Sequence, residues 1–385
     1  MENFHLGIMK HKILIVGCGL YGAVCGRLLS NAGCEVIMID KSPHIGGACY
    51  DYNYNGVTTQ KYGIHVFHTS NKEVWDFVNK YSAFRPYELK VIGKDENNDI
   101  YSLPFNMYTF QKLFKTDKPE DAFKKIEEEK NKTHDGGFSG KARQLVGDTI
   151  YEKLIKVYTE KQWGDSVDNL PVSIIKRLPV RFSYDNRYFS DYWQGLPING
   201  YTELISNIIN GTDGEKPIEY HLGEDFLKNK DYHYKSYDIV IYCGSVDELL
   251  DYSFGELEWR SLVFEDKKYL YNGHNGQGCP LLNDFSTRHR YTRSIDHIFL
   301  NATQPNVETI VTYEYPQKWK RGLERYYPIE NEKNNILYER YCSLLSKKYP
   351  NIHLGGRIGL FRYMNMDDTI FSSINYCRTL KVYKN

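Results

Sequence analysis

The feature that most constrains the fold is a strand–turn–helix–strand pattern within residues 12–47. An apolar, β-branched run at residues 13–16 (ILIV) leads directly into the glycine-rich turn 17–22 (GCGLYG). A helical segment follows, and a second apolar run ends at Asp40. This is the order of elements that a dinucleotide-binding βαβ unit requires.

Each glycine of the turn has a physical role. Gly17 permits the tight turn, Gly19 lets the backbone approach a pyrophosphate, and Gly22 lets the helix lie close to its strand. The helix N-terminus offers unpaired N–H donors to phosphate oxygens. Asp40 lies eighteen residues after Gly22, where a carboxylate accepts hydrogen bonds from ribose hydroxyls and repels a 2′-phosphate. A bare glycine pattern also occurs in turns without a ligand, but the flanking strands and the acid favour a binding site.

A second small-residue turn, residues 41–47 (KSPHIGG), follows the acid. Its paired glycines, Gly46 and Gly47, let the backbone approach the same pyrophosphate from the other side, as in flavoproteins. We therefore expect FAD rather than NAD, and an NADP-type ligand is disfavoured.

The overall composition excludes several classes of partner. Basic and acidic residues number 49 each, so global charge gives no argument for nucleic acid or an anionic membrane. The eight cysteines form no C-x-x-C pair, which favours free thiols in a reducing compartment and no metal site. No segment offers about 18 uninterrupted apolar residues. We expect a cytoplasmic protein without nucleic-acid binding or membrane insertion.

Local patterns predict the order of the remaining elements. The segments are a hairpin at 50–62, a strand at 63–69, a helix at 71–81 capped by Asn71, a hairpin at 88–103, helices over 109–163, a loop at 165–181, a strand at 182–193, a helix from Gly200 with Thr202 as its cap, a strand at 237–244, several strands over 257–315, a helix at 331–347, a strand at 352–357 and a closing helix at 369–382.

These elements predict an α/β chain: an FAD-binding Rossmann-like domain with an inserted helical domain and an antiparallel β-sheet domain. We assign residues 10–88, 196–255 and 335–385 to a discontinuous FAD-binding domain, 105–165 to the helical insertion, and 89–104, 166–195 and 256–334 to the β-sheet domain. Within the last, we expect the proline-bounded loop 169–181 to be mobile.

Several longer strings are more specific than any short motif. They are 159–164 (TEKQWG), 174–182 (IIKRLPVRF), 188–191 (YFSD), 195–202 (GLPINGYT), 291–293 (YTR), 326–328 (YYP) and 355–357 (GGR). Together with the two glycine turns, they resemble bacterial UDP-galactopyranose mutase over nearly the whole chain and in the order of that family.

The resemblance implies an isomerase that interconverts UDP-galactopyranose and UDP-galactofuranose and supplies galactofuranose for surface polysaccharides. In the family, N5 of reduced FAD attacks the anomeric carbon and displaces UDP, the sugar ring opens and recloses on another hydroxyl, and UDP returns. The chain has no obvious Ser-His-Asp or Cys-His nucleophile arrangement, in keeping with a nucleophile supplied by the cofactor. The resemblance also implies a homodimer with its contact in the helical insertion.

Site residues follow from the same match. Arg177 and Arg293 match the family arginines that hold the diphosphate, a task that suits a planar guanidinium; outside such strings, a surface ion pair would be the default interpretation of either. The other implied substrate-binding residues are Tyr158, Thr159, Trp163, Tyr188, Tyr326, Tyr327 and Tyr363. The implied cofactor-binding residues are Gly17, Gly19, Leu20, Gly22, Asp40, Lys41, Gly46, Gly47, Tyr62, His65, Val66, Gly244, Arg357, Tyr363, Asn365 and Met366. His65, beside the isoalloxazine in the family, is also a catalytic candidate.

Two departures from the family pattern leave alternatives open. Asn365 stands where the family commonly has aspartate, and the stretch 87–90 (YELK) replaces one where relatives often carry an asparagine close to the sugar. Selectivity between UDP-galactose and UDP-N-acetylgalactosamine is therefore open. An FAD-dependent oxidase or dehydrogenase of the same superfamily, and a nucleotide-binding scaffold without turnover, are the other hypotheses.

Overall fold

A computed structural model describes residues 11–132, 136–170, 172, 180–270, 277–302 and 308–380. Its strands are β1 (Lys12–Val16), β2 (Glu35–Asp40), β3 (Asp51–Tyr54), β4 (Val57–Gln60), β5 (Phe67–Thr69), β6 (Phe84–Pro86), β7 (Val91–Lys94), β8 (Ile100–Leu103), β9 (Trp193–Pro197), β10 (Glu219–Leu222), β11 (Ile239–Tyr242), β12 (Trp259–Leu270), β13 (Leu281–Asp284), β14 (Arg293–Asp296), β15 (Glu308–Lys318), β16 (Tyr327–Pro328) and β17 (Ile352–Leu354). Its α-helices are α1 (Leu20–Asn31), α2 (Lys72–Tyr81), α3 (Met107–Phe114), α4 (Pro119–Lys130), α5 (Phe138–Val146), α6 (Asp148–Ile150), α7 (Lys156–Trp163), α8 (Tyr201–Asn210), α9 (Lys230–Ser236), α10 (Val246–Leu249), α11 (Glu332–Lys348), α12 (Gly356–Gly359) and α13 (Met366–Thr379).

A five-stranded parallel sheet has the strand order β10-β2-β1-β11-β17. Along β1, Ile13 and Ile15 pack into the apolar cluster that contains α1, whereas Leu14 packs into the cluster on the other face, with Tyr341 of α11. This alternation is the two-residue period of a strand that is buried on both faces. Because all pairings are parallel, the carboxyl ends of these strands lie along one edge, which we name the dinucleotide edge.

A second sheet has seven strands in the order β16-β12-β15-β14-β13-β7-β8. Its pairings are antiparallel except for β7 with β13. The register places Arg293 of β14 opposite Glu314 of β15 and Tyr327 of β16 opposite Arg260 of β12. Directly opposed residues share a face of a sheet. The predicted fold class, a Rossmann-like unit combined with helices and an antiparallel-rich sheet, is confirmed.

Most of the predicted local elements are present. The hairpin of β3 and β4 turns at Asn55 and Gly56, and β7 pairs with β8 as the second hairpin. Asn71 caps α2 by accepting hydrogen bonds from the backbone N–H groups of Glu73 and Val74. Helices α3 to α7 follow β8, as the helical pattern predicts. Within the described ranges, no helix has the length and apolar character needed to cross a membrane.

The strand predicted at 182–193 is wrong, because regular strand structure begins only at Trp193. The aromatic residues of this segment pack individually instead. The ring of Phe189 stacks on His68 with centroids 3.6 Å apart, and Phe182 packs against Phe110. The predicted strand at 63–69 is reduced to β5, since Gly63 adopts a left-handed φ of 93°.

Two predicted helix starts also need correction. Thr202 does not cap α8, which begins at Tyr201. The carboxylate of Asp51 accepts hydrogen bonds from the N–H groups of Tyr201 (2.6 Å) and Thr202 (3.0 Å) instead, a contact between distant segments that no local pattern reveals. The closing helix α13 begins at Met366 rather than residue 369, because Asn365 and Asp368 form a capping box.

Candidate active site

The first glycine turn brings backbone close to backbone at the dinucleotide edge. Gly17 has a φ of 121°, which favours glycine. A Cβ on Gly22 would lie 2.0 Å from the carbonyl oxygen of Gly17, so only glycine lets α1 approach β1 this closely. Gly19 precedes α1, whose first residue Leu20 is buried. The N–H groups of the first turn of α1 have no partner within the helix and lie beside the carboxyl end of β1.

The second glycine turn packs directly on the first. The N–H of Gly46 donates to the carbonyl of Cys18 at 2.9 Å, and Gly46 bridges to Gly19. A Cβ on Gly47 would lie 3.2 Å from the Cα of Gly19. Gly46 and Gly47 both have positive φ, at 102° and 54°. Two side-chain-free backbone segments thus form one cradle, a shape that fits a dinucleotide pyrophosphate.

Asp40 ends β2 beside this cradle. Its carboxylate accepts hydrogen bonds from the N–H groups of Cys18 (2.7 Å) and Ser42 (2.8 Å). These bonds hold the acid at the carboxyl end of its strand, where a ribose is expected to lie. The neighbouring Lys41 is exposed.

The dinucleotide edge continues across β11 and β17. Gly244 follows β11, and a Cβ there would lie 2.5 Å from the ring of Tyr242. Arg357 lies in α12, just after β17, with its guanidinium 5.6 Å from the ring centroid of Tyr363. Arg357 also lowers the pKa of His65, so these segments meet at one place.

His65 is held as a neutral imidazole. Burial, reinforced by the positive charge of Arg357, lowers the pKa of His65 to about 4. Its Nδ1 lies 2.9 Å from the carbonyl of Gly63, which assigns the ring proton to Nδ1. The side chain of Gln60 bonds both the N–H and the carbonyl of His65, at 2.6 and 2.9 Å. Val66, the next residue, is buried.

The mixed sheet contributes the cationic side of the site. Nε of Arg293 donates a hydrogen bond of 2.7 Å to the hydroxyl of Tyr158 on α7. Burial by itself would lower the pKa of the Arg293 guanidinium, but Tyr158 and Glu314 outweigh this effect and raise it. The Arg293 side chain keeps 27% of its surface exposed. A fixed, permanently charged guanidinium is thus accessible to an anionic ligand.

Tyrosines connect this cation to the dinucleotide edge. The rings of Tyr327 and Tyr363 stack with centroids 5.9 Å apart. The pKa of Tyr327 is raised by burial, against the opposing effects of Arg293 and Arg357, so Tyr327 lies close to both cations. Tyr326, also buried, packs on the mixed sheet with its ring 5.4 Å from Phe264.

The remaining predicted residues lie around this arrangement. Thr159 is buried in α7 and Trp163 ends that helix half-buried. The ring of Tyr188 meets Phe189 edge-on, and its hydroxyl influences the pKa of Arg293. The hydroxyl of Tyr62 lies 3.3 Å from Nε2 of His44. Asn365 is the N-cap of α13, and Met366 is the first residue of that helix. Arg177 lies outside the described residues.

Glu314 is a member of the site that sequence reasoning missed. Its carboxylate is buried against Arg293 on the same face of the mixed sheet. A signal was present in the strand-like run 308–315 (ETIVTYEY). Its last residue but one is charged and shares a period-two face with the buried residues Ile310 and Thr312.

The fold and the site define a class of protein. A parallel sheet with two facing glycine turns, an acid at the end of the second strand and a cationic sheet opposite is the arrangement of a dinucleotide-binding α/β enzyme of the flavin type. In agreement, a family model for an NAD(P)-binding Rossmann-like domain matches residues 15–81.

Comparisons with known proteins narrow the class to one family. The model of the UDP-galactopyranose mutase family matches residues 153–363. A probable UDP-galactopyranose mutase of Klebsiella pneumoniae is 36% identical over 372 residues, 95% of this chain and 94% of the relative. A dTDP-fucopyranose mutase of Escherichia coli is 34% identical over 388 residues, 97% of this chain and 99% of the relative. The chain belongs to the UDP-galactopyranose mutase family and is an isomerase of that family.

Solved structures agree on the fold. A crystal structure of reduced UDP-galactopyranose mutase superimposes with a TM-score of 0.69 at 15% identity, covering 96% of this chain and 95% of the other. The family match also sets aside the oxidase and scaffold hypotheses in favour of the isomerase.

Proposed function

We propose that this enzyme interconverts UDP-galactopyranose and UDP-galactofuranose with FAD as its cofactor, active in the reduced form. The observation that carries the proposal is the position of Arg293. Its guanidinium is fixed by Tyr158, and Tyr327 and Tyr363 link it to Arg357 at the dinucleotide edge. A diphosphate bound to Arg293 would therefore lie beside a dinucleotide bound at that edge.

The cofactor residues have distinct tasks in this proposal. The two glycine turns would hold the FAD pyrophosphate with backbone N–H groups, Asp40 would bind the adenosine ribose, and Arg357 would lie at the flavin end. Reduced FAD supplies a nucleophilic N5 when it is bound. His65 remains neutral near pH 7, so it brings no positive charge to the sugar site.

The substrate-binding residues stabilise the negative charge of the diphosphate. As the bond between the anomeric carbon and UDP breaks, negative charge grows on the departing diphosphate, and a guanidinium placed there stabilises the transition state. Arg293 has this role, and the Tyr158 hydroxyl fixes its orientation. We assign the same role to Arg177 on the family match of its string. Thr159, Trp163 and Tyr188 complete the nucleotide site.

A second candidate substrate is dTDP-fucopyranose. Relatives named for UDP-galactopyranose and for dTDP-fucopyranose are almost equally similar to this chain, at 36% and 34% identity over nearly its whole length. The two substrates share a diphosphate and differ at the base, at the ribose 2′-position and at C6 of the sugar. Arg293 can bind the diphosphate of either substrate, so diphosphate binding does not discriminate between the two.

The test is turnover by reduced, FAD-loaded protein. Dithionite-reduced enzyme is incubated separately with UDP-galactofuranose, dTDP-fucofuranose and the furanose form of UDP-N-acetylgalactosamine, and the pyranose products are separated by chromatography. We expect conversion of UDP-galactofuranose with the highest kcat/KM and none by the oxidised enzyme. Faster conversion of the dTDP sugar would replace the substrate assignment. No conversion of any of them, with FAD bound and reduced, would overturn the proposal.

We further propose a homodimer that forms through helices α3 to α7. Light scattering coupled to size-exclusion chromatography measures the mass directly, and a species of 45.1 kDa at micromolar concentration would contradict a dimer.

A further inference from the structure

Glu314 is a buried carboxylate with an incomplete set of partners. Its relative exposure is 1%, and its Oε2 has no hydrogen-bond partner among the described residues. The nearest cationic atom is Nη1 of Arg293 at 3.9 Å, a distance that allows charge attraction but no hydrogen bond. A buried, unbonded carboxylate oxygen is costly, so its position calls for a reason.

The surroundings keep Glu314 in place. Arg293 lies directly opposite it in the pairing of β14 with β15, so the two side chains share a face. The loop before β5 closes over the carboxylate, because a Cβ on Gly63 would lie 3.1 Å from Oε1. Glu314 therefore cannot turn out to water while the sheet is intact, and Arg293 is its compensating charge.

The other titratable groups near this pair keep their charge state. Those that face Glu314 are Tyr158 from α7, Tyr326 and Tyr327 at β16, and Arg293 from β14. Burial raises the pKa of all three phenols, so they stay neutral near pH 7. Burial also raises the pKa of Glu314, against the opposing effect of Arg293. Glu314 is thus the group that most readily gains or loses a proton.

We propose that Glu314 is a positioning residue: it is the counter-ion of Arg293 in the free enzyme and takes up a proton from solvent when the diphosphate of the nucleotide sugar replaces it. The inference rests on the proposed function, in which Arg293 binds that diphosphate. A bound diphosphate adds negative charge beside the carboxylate and disfavours its ionised form. Release of the nucleotide returns the proton to solvent and restores the ion pair.

Proton uptake makes binding depend on pH in a defined direction. By linkage, the dissociation constant rises with pH by up to about tenfold per unit, in proportion to the protons taken up. The neutral isostere of Glu314→Gln cannot take up this proton. It should bind the nucleotide sugar more tightly than the wild type at high pH and without this pH dependence.

The experiment is calorimetric titration of UDP-galactose into oxidised, FAD-loaded enzyme at pH 6, 7 and 8. Each titration is repeated in two buffers of different ionisation enthalpy, which reports the number of protons exchanged. The sugar-linked diphosphate of UDP-galactose does not titrate in this range, so uptake comes from the protein. We expect uptake of up to one proton in the wild type and in Glu314→Asp, and its loss in Glu314→Gln. Glu265→Gln, an exposed glutamate on the other face of the neighbouring strand β12, is the matched control and should behave as the wild type.

The outcomes separate this inference from the proposed function. Binding with equal proton uptake in the wild type and Glu314→Gln would overturn the inference alone. If neither UDP-galactose nor dTDP-fucose bound to the FAD-loaded wild type, both the inference and the proposed function would be wrong. If Glu314→Gln failed to fold, the test would use Glu314→Asp, which keeps a carboxylate and is expected to take up a proton. Binding by Glu314→Asp without proton uptake would contradict the proposal.

Discussion

The two sides of the candidate site are built differently. At the two glycine turns the dinucleotide edge presents backbone, since Gly19 and Gly47 bring the turns together without side chains between them. The face of the mixed sheet is made of side chains, with Arg293 held by Tyr158 from α7 and by Glu314 from the adjacent strand. Backbone donors suit a permanently bound cofactor, whereas side-chain charges can respond to a substrate that enters and leaves.

The largest expected effect tests the side-chain face. Arg293→Ala removes the cation that we propose binds the diphosphate, and it leaves Glu314 buried without its counter-ion. We expect kcat/KM to fall by about 10³-fold, or about 4 kcal/mol. Steady-state kinetics with UDP-galactofuranose measures the loss, and the flavin absorbance per protein should be unchanged. A parallel loss of FAD would show that the two sides are not independent.

His297 links the hairpin of β3 and β4 to the mixed sheet. Its ring bonds the N–H of Gln60 (3.3 Å) and Thr312 of β15 (2.9 Å), and burial lowers its pKa to about 4. In the unfolded chain the histidine has a pKa near 6.5, so between pH 6.5 and pH 4 it binds a proton that the folded protein does not bind. Stability is therefore lost as pH falls from 6.5 toward 4, by up to about 3 kcal/mol.

Urea unfolding of the wild type and of His297→Asn at pH 7 and pH 4 isolates this contribution. The stability difference between the two proteins should shrink by about 3 kcal/mol at the lower pH. The neighbouring Asp296, whose pKa burial raises to about 6, acts in the opposite direction in both proteins and cancels. A constant difference would mean that His297 has the same pKa in the folded and the unfolded protein, which would contradict this prediction.

A smaller effect tests the backbone edge. Gly19→Ala meets only ordinary contacts of 3.6 Å or more within the protein, and its backbone conformation suits alanine. Its methyl group would point at the cradle, so we expect FAD to bind about tenfold more weakly, a cost of about 1.4 kcal/mol. The thermal unfolding of the FAD-free protein should not change. Unaltered FAD affinity would contradict a pyrophosphate at this turn.

The smallest effect concerns Asn365, where the chain departs from the family pattern. Its side chain caps α13, and an aspartate caps a helix equally well. Asn365→Asp should therefore change the free energy of unfolding by less than about 0.5 kcal/mol, whereas Asn365→Ala should cost about 1 kcal/mol. Chemical denaturation measures both. Equal costs would show that the side chain does more than cap the helix.

Sequence reasoning succeeded where the information is local. The strand–turn–helix pattern placed Gly17, Gly22 and Asp40 correctly in the fold, because the steric needs of a βαβ turn act over a few residues. It failed at 182–193, where the aromatic residues serve packing contacts with distant partners such as His68. It also misplaced the cap of α8, since the capping carboxylate of Asp51 comes from 150 residues away.

The amino-acid sequence alone determined the dinucleotide unit and, through longer strings, the family. Glycine turns, caps and hydrophobic periods are short-range properties of neighbouring residues, and they can be interpreted without the fold. The tertiary structure decided which charges meet. Only the register of β14 with β15 places Glu314 against Arg293, and only the packing of α7 on the mixed sheet brings the Tyr158 hydroxyl to that guanidinium. Such contacts join residues that are far apart in the chain and meet only when the chain folds into one core. A short stretch of the sequence therefore cannot reveal them.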